Sequence, residues 1–402
     1  MEAPLLSGTN YKKILSLGFP FEVLNKDLKL IFTSNLLGSF GDGLYAYLLP
    51  VYLTESLGAN DVEVGIVYAV VSLVAALTLL VAGTLADKYD RKKIMIAGWI
   101  AWIPAPLIFS LANNWLQTLP GIILWGVWLG GPTSTAYIVT TADKTKLTLT
   151  FTVISSAWSF GYIFSPAVGG YLAGTIGMHV VFYLAFVFYT LAALVLTFIS
   201  SQHAIHLAQE SSNKDYSFFK LLKTKRLLKL SILFASLIFV TLMFRPFIPK
   251  FLADIYHYGK FEIGILGSIS FFSSAVLGIL LGKLGDKWKK SVALAVAMLL
   301  SSFSLILLLT FSEFYILIIA FFLIGGSYIL WSLMSAIIGP LAPEHMRARW
   351  ISIPQTVGIF TSFVAPYVGG ILYSFSQSYL FIIAVVATLF LSALIFSKVF
   401  ET

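Results

Sequence analysis

The 402-residue chain is 58% hydrophobic and 15% aromatic but only 11% charged, with a formal net charge of +8 and no cysteine. A soluble domain usually carries about 25% charged side chains, so the polar surface here is too small to coat a water-facing globule and the chain belongs in a bilayer. The lack of cysteine excludes a disulfide scaffold, a thiolate metal site and a cysteine nucleophile.

In chain order, residues 1–28 have no apolar core of their own, so no cleavable signal peptide is expected and the first long apolar run inserts the chain. Twelve apolar stretches follow, at 29–54, 62–86, 94–112, 117–140, 148–173, 179–200, 228–252, 262–284, 291–310, 314–341, 350–374 and 378–397. Each approaches the roughly 20 helical residues needed to cross a hydrocarbon core of about 30 Å. They are continuously apolar and lack two-residue alternation, which predicts an all-α membrane protein and excludes a barrel.

Charge sets the orientation. If the termini and loops 2/3, 4/5, 6/7, 8/9 and 10/11 share one side, that side holds 23 of the 26 basic residues; only Arg245, Lys250 and Lys260 fall elsewhere. The positive-inside rule then places both termini in the cytoplasm and the chain in the cell membrane. The basic excess is a topology signal and predicts no nucleic-acid partner. The one sizeable polar stretch in mid-chain, residues 201–227, reads as a linker followed by a basic amphipathic segment in which Phe218, Phe219, Leu221 and Leu222 alternate with Lys220, Lys223, Lys225 and Arg226. It divides the chain into two six-helix halves, 1–200 and 228–402.

The halves repeat. VEVGIVYAV from Val62 returns as FEIGILGSI from Phe261, and GTLADKYDRKK from Gly83 as GKLGDKWKK from Gly282, both at an offset of 199. SPAVGG from Ser165 returns as APYVGG from Ala365, at an offset of 200. Three matches in one order at nearly constant spacing indicate duplication. An even number of crossings per half makes the repeats parallel, as in one class of secondary transporter.

These motifs resemble the major facilitator superfamily over the whole chain. The family's signature between the second and third helices is matched by Gly83, Leu85, Ala86, Asp87, Lys88, Arg91 and Lys92, with Asp90 where glycine is usual. Gly161, Pro166, Gly169 and Gly170 resemble its fifth-helix antiporter signature, although Ser165 replaces one glycine and the fourth helix lacks the arginine usual in drug antiporters. The resemblance implies two bundles that rock about a central site. It also implies a gating role for the loop residues Gly83, Asp87, Lys88 and Arg91 and their repeats Gly282, Asp286 and Lys287. Physically, Gly83 and Gly282 would let helix ends approach closely. Gly161, Pro166 and Gly169, repeated as Pro366 and Gly369, would bend the fifth and eleventh helices and allow close packing.

Charges at membrane depth are functional candidates. Asp42 lies about 20 Å along the first helix and Arg245 about 24 Å along the seventh. Arg245 corresponds to Ala46, four residues after Asp42 and on the same face, so the two charges are expected to point alike toward the pseudo-two-fold axis. Asn35, Ser39 and Tyr45 continue the Asp42 face as a polar stripe. The resemblance implies a cavity lined by helices 1, 4, 7 and 10, to which Trp125, Trp128, Tyr328 and Trp331 would contribute, with Trp158 and Gln355 from neighbouring helices. Asp42 could exchange a proton during transport or could serve structurally by neutralising Arg245 or bonding a hydroxyl.

The expected function is alternating-access transport of a small organic solute, proton-coupled and with efflux preferred over uptake of a sugar or organic anion. The driving force would be a proton or ion gradient, with no cofactor and no enzymatic reaction. No HExxH pattern occurs, and the GILLGK run from Gly278 has the wrong spacing for a nucleotide loop, with Leu284 where Ser/Thr is needed. One chain holds both repeats, so a monomer would suffice. A sensor or scaffold would need a larger soluble segment than residues 201–227.

Overall fold

The structure, a computed structural model, describes residues 21–203, 224–338, 341 and 347–397. The expected amphipathic segment at Phe218–Lys223 lies outside the described residues; Lys225 and Arg226 open a helix.

The described residues form helices and short 3-10 turns without a strand. The α-helices are α1 (Lys26–Ala46), α2 (Leu49–Glu55), α3 (Asp61–Lys88), α4 (Arg91–Trp102), α5 (Pro104–Leu111), α6 (Leu119–Gly126), α7 (Gly130–Thr141), α8 (Leu147–Thr175), α9 (Met178–Leu196), α10 (Lys225–Phe244), α11 (Phe247–Asp254), α12 (Lys260–Lys287), α13 (Lys290–Thr310), α14 (Phe314–Ile324), α15 (Leu330–Ile338), α16 (Arg347–Ser362), α17 (Val364–Phe375) and α18 (Gln377–Phe396). Several expected spans are pairs of helices in series. Pro50, Pro104, Pro246 and Pro366 stand at or just after four of the breaks, where a missing N–H costs no internal bond. Pro166, by contrast, lies inside the unbroken α8. Caps start helices where the sequence supplies them: Asn60 and Glu63 form a reciprocal capping box at 3.0 and 2.8 Å at the head of α3.

Among the described residues, ten helical segments are long and apolar enough to cross a membrane, and large side chains such as Leu111, Phe164 and Phe390 are exposed on the outside, as lipid contact requires. The first and fifth expected spans, α1 and α8, are helices of 21 and 29 residues that fall outside this set. The reason is positional. α1 packs against α8 and α9, and α8 also packs against α12, so both can carry Ser, Gly and, in α1, Asp42 without presenting them to lipid.

The two halves of the chain meet through α8 against α12 and α3 against α17, a pair of contacts exchanged by the sequence repeat. A Cβ on Gly65 would come within 2.5 Å of the Pro366 carbonyl oxygen, and one on Gly264 would overlap the Pro166 carbonyl oxygen. Within each half, Gly169 lies on the Leu44 carbonyl and Gly369 on that of Met243, again repeat-related. The repeated glycines are thus points of backbone contact between helices. Gly161 acts similarly, since a Cβ there would overlap the Ser39 hydroxyl.

Candidate functional site

Asp42 is 3% exposed. Trp125 Nε1 and the Tyr189 hydroxyl donate to its Oδ1 at 2.6 and 2.5 Å, and the Tyr162 hydroxyl donates to Oδ2. The Tyr45 and Tyr189 hydroxyls share a hydrogen bond of 2.9 Å. The carboxylate therefore turns into its own half of the chain, toward α6, α8 and α9, where an indole and two phenols satisfy it. Tyr45, expected to line the cavity, is fully buried in this cage. Ser39 is buried too, donating to the Leu36 and Ala157 carbonyls at 3.1 and 3.2 Å instead of facing a cavity.

A pocket of about 180 Å³ lies beside the cage, between α1, α4, the α6–α7 break, α8 and α9. Asn35, Trp128 and Trp158 line it, together with Trp99, Trp102, Ser134, Thr135 and Ser155. The break at Val127–Leu129 opens the wall without orphaning its backbone: Trp102 Nε1 donates to the Val127 carbonyl at 2.7 Å, and the Trp128 N–H donates to Thr78 Oγ1 at 2.9 Å. Trp99 and Trp158 stack at 6.3 Å with 12° between planes, and Trp158 stacks on Tyr162 at 6.2 Å. A ligand flat enough to lie on Trp158 would therefore press on a ring that holds Asp42.

Arg245 occupies the break between α10 and α11. Its guanidinium carbon lies 3.9 Å over the Tyr328 ring, and Nη2 donates to the Ser327 carbonyl and hydroxyl at 3.2 and 3.4 Å. Nε is buried without a partner. No ion pair joins Arg245 to Asp42 among the described residues. Of the structural roles open to Asp42, neutralising Arg245 or bonding a hydroxyl, this conformation shows hydroxyl bonds, and each charge finds closer neutral partners in its own half. Aromatic rings connect them instead: Tyr162 meets Phe271 of α12 at 4.6 Å, and Phe271 meets Tyr328 at 5.0 Å. Trp331 and Gln355 join neither cluster; Trp331 packs edge-on against Phe234 at 4.7 Å, and Gln355 Nε2 donates to Ser335 Oγ at 3.2 Å.

Sequence reasoning missed Trp99, Trp102, Tyr162, Tyr189 and Phe271. Two signals were present: Tyr162 is four residues after Trp158 and shares its face, and Trp99 and Trp102 are three apart on α4. Phe271 carries no comparable mark in an apolar helix.

At the basic end the expected gating residues stand apart. A Cβ on Gly83 or Gly282 would meet nothing within 4 Å, so the close approach expected of them is not made here. Asp87, Lys88, Asp286 and Lys287 make no ion pair among the described residues. Arg91 is buried and bonds within its own half, to the Ala86 and Ala136 carbonyls at 3.3 and 3.1 Å, Thr140 Oγ1 at 2.8 Å and Gln202 Oε1 at 2.7 Å. It ties the ends of α3 and α7 to the chain after α9. Beside it, Asp90 caps α4. Burial opposes its charge, but hydrogen bonds from the Gln202 N–H, the Ser201 hydroxyl and the Lys92 N–H outweigh that and hold its pKa below the usual carboxylate range.

The opposite end is closed by ion pairs across the halves. Lys260 Nζ meets Glu55 at 2.9 Å, and Lys250 Nζ meets Asp61 at 3.1 Å and Asp254 at 2.6 Å. At the 199 offset, Glu55 corresponds to Asp254 and Asp61 to Lys260. One contact is thus a direct Glu55–Lys260 pair, whereas its repeat-related counterpart would oppose two carboxylates. The Lys250 ammonium, 4% exposed, stands between them.

The profile of the Major Facilitator Superfamily matches residues 31–259 and 230–402. The chain is 22% identical over 364 residues to an uncharacterised MFS-type transporter of Methanocaldococcus jannaschii, covering 88% of this chain and 91% of the relative. It is 27% identical over 355 residues to the multi-drug resistance efflux pump PmrA of Streptococcus pneumoniae, covering 85% and 88%. The solved nucleoside transporter NupG shares the fold with a TM-score of 0.76 at 15% identity, covering 93% of this chain and 99% of that one. With the repeated halves, the all-helical fold and a profile match spanning both halves, the chain belongs to the major facilitator superfamily and is a multi-pass membrane transporter.

Proposed function

We propose that the protein is a proton-coupled secondary transporter that exports a small amphipathic organic solute by alternating access. In this reading twelve crossings form two six-helix bundles, residues 1–200 and 228–402, joined by the 201–227 linker, and both termini lie in the cytoplasm. One chain carries both bundles and works as a monomer. In this reading the outer ends are held together by the Glu55–Lys260 and Asp61–Lys250 pairs, while no ion pair joins the basic ends among the described residues, which fits an inward-facing state.

The observation that carries the proposal is the Asp42 cage. A buried carboxylate with three donors and no cation within ion-pair range among the described residues is costly at membrane depth. Taking up a proton removes the charge, and phenol hydroxyls, which can donate or accept, can adapt to either form. Solute binding against Trp158 would reach this group through Tyr162. An aromatic lining with a few polar groups suits an amphipathic organic molecule, and a multidrug efflux pump among the relatives supports export.

The test is transport of norfloxacin, a planar fluorescent solute, by purified protein in proteoliposomes under an imposed pH gradient. The wild type should move norfloxacin against its concentration gradient. Asp42→Asn should abolish gradient-driven movement and retain solute exchange at equal pH. Unchanged gradient-driven transport by Asp42→Asn would refute the coupling role.

A further inference from the structure

The Arg245 site has a cation and no anion. Among the described residues no carboxylate lies within ion-pair distance of it, and Asp42 is occupied by three donors of its own half. Of the guanidinium nitrogens, Nη2 alone has partners, both from Ser327 at 3.2 and 3.4 Å; Nε is buried and unpartnered, and Nη1 makes no hydrogen bond among the described residues. The Tyr328 face offers a cation–π contact at 3.9 Å. That contact does not replace a counter-ion for a largely buried charge, which is costly to leave unpaired. The unmet demand is for a planar anion that takes two N–H groups at once, and a carboxylate fits it.

The surroundings specify more of the ligand. Tyr47, from the α1–α2 break of the first half, meets Phe271 of α12 at 6.5 Å between ring centroids. The site therefore lies where the two halves face one another, with the Tyr328 phenol beside the cation. Phe271 packs on Tyr328 at 5.0 Å and on Tyr162 at 4.6 Å, and Tyr162 stacks on Trp158 of the pocket. An aromatic wall thus runs from the tryptophan-lined pocket to the guanidinium.

We infer that Arg245 is the anion-receiving group of the transport site and that the solute class is an aromatic carboxylate, its ring on the Trp158–Tyr162–Phe271 wall and its carboxylate on Arg245. This deepens the transport reading but does not depend on proton coupling or direction, because it concerns equilibrium binding alone. A ligand that bridges Arg245 and the wall touches both halves.

The experiment compares benzoate with benzamide, identical in shape and differing in charge, by isothermal titration on detergent-purified full-length protein at fixed ionic strength. Wild type should bind benzoate at least tenfold more tightly than benzamide. Arg245→Gln should abolish that preference, while Arg245→Lys, which keeps the charge but loses the planar fork, should retain a part of it. Potassium sulfate at equal concentration should not displace benzoate; displacement would identify a general inorganic-anion site and overturn the assignment to an organic carboxylate. Equal affinity for the two probes in the wild type, or an undiminished benzoate preference in folded Arg245→Gln, would overturn the inference. Norfloxacin transport can fail while the benzoate preference persists, so failure of the transport reading and failure of the anion site are separable.

Discussion

The ring of Tyr162 lies 4.6 Å from the ring of Phe271, so the residue that holds Asp42 in one half of the chain touches the residue that supports Tyr328, and hence Arg245, in the other. The two intramembrane charges are neighbours through aromatic packing and not through an ion pair. A change at either one has a direct packing route to the other through these rings.

Replacing Phe271 tests that link. Phe271→Ala removes the ring while leaving the Asp42 donors and the Arg245 contacts intact. Loss of one ring of the solute-binding wall should lower norfloxacin exchange at equal pH by about threefold, whereas gradient-driven transport should fall by about a further tenfold, a loss near 1.4 kcal/mol of coupling. Equal losses in both assays would show that Phe271 serves the fold alone.

The absence of cysteine makes the outer closure easy to read. With Glu55→Cys and Lys260→Cys, at positions whose native side chains pair at 2.9 Å, a short bifunctional thiol reagent that spans the length of the lost side chains should crosslink readily in the unliganded protein. Adding Gly264→Leu drives a side chain into the Pro166 carbonyl. Crosslinking should then drop at least fivefold, because the backbones of α8 and α12 can no longer meet. Crosslinking at the original rate would mean that the outer ends tolerate separation at this point.

Lys250 neutralises two carboxylates that the repeat would otherwise set against each other. Lys250→Met should lower stability by about 3 kcal/mol, the scale for stripping one partner from a buried ion pair, read as a fall in the thermal unfolding midpoint in detergent. Adding Asp61→Asn should recover part of the loss, since one of the opposed charges is removed. Absence of rescue would indicate that Lys250 acts through its cation–π contact with Tyr373 and its pair with Asp254, and not by neutralising Asp61.

The Asp90 cap predicts an acid dependence at the basic end. Its hydrogen bonds hold the folded-state pKa below the unfolded value, so its contribution is fully present above the unfolded carboxylate pKa of about 4 and is lost as pH falls through the lower folded value. Asp90→Asn can still cap the helix but cannot titrate. Melting curves taken from pH 6 down to pH 3 should show a steeper decline for wild type than for Asp90→Asn. Parallel declines would assign the acid sensitivity to other groups.

Much of the architecture follows from the chain alone. Apolar run length implies helices, because a bilayer accepts little else. The repeat, at offsets of 199 and 200, anticipates which glycines are equivalent, and Gly65 with Gly264 and Gly169 with Gly369 do occupy equivalent contacts. Asp42, Trp128, Trp158 and Arg245 stand out in sequence because polar or indole-bearing residues are rare at such depth.

What the tertiary structure alone decides is which way each of these side chains turns. A helix period places Asp42 and Arg245 on similar faces, but it does not say that three donors from α6, α8 and α9 converge on Asp42, or that Arg245 settles over Tyr328. Those partners are separated by 82 to 147 residues in the chain, and a hydrogen bond depends on ångström-scale approach between helices that sequence periodicity does not encode. Phe271 shows the same limit: in an apolar helix it is one ring among many, and only packing makes it the contact between two charges.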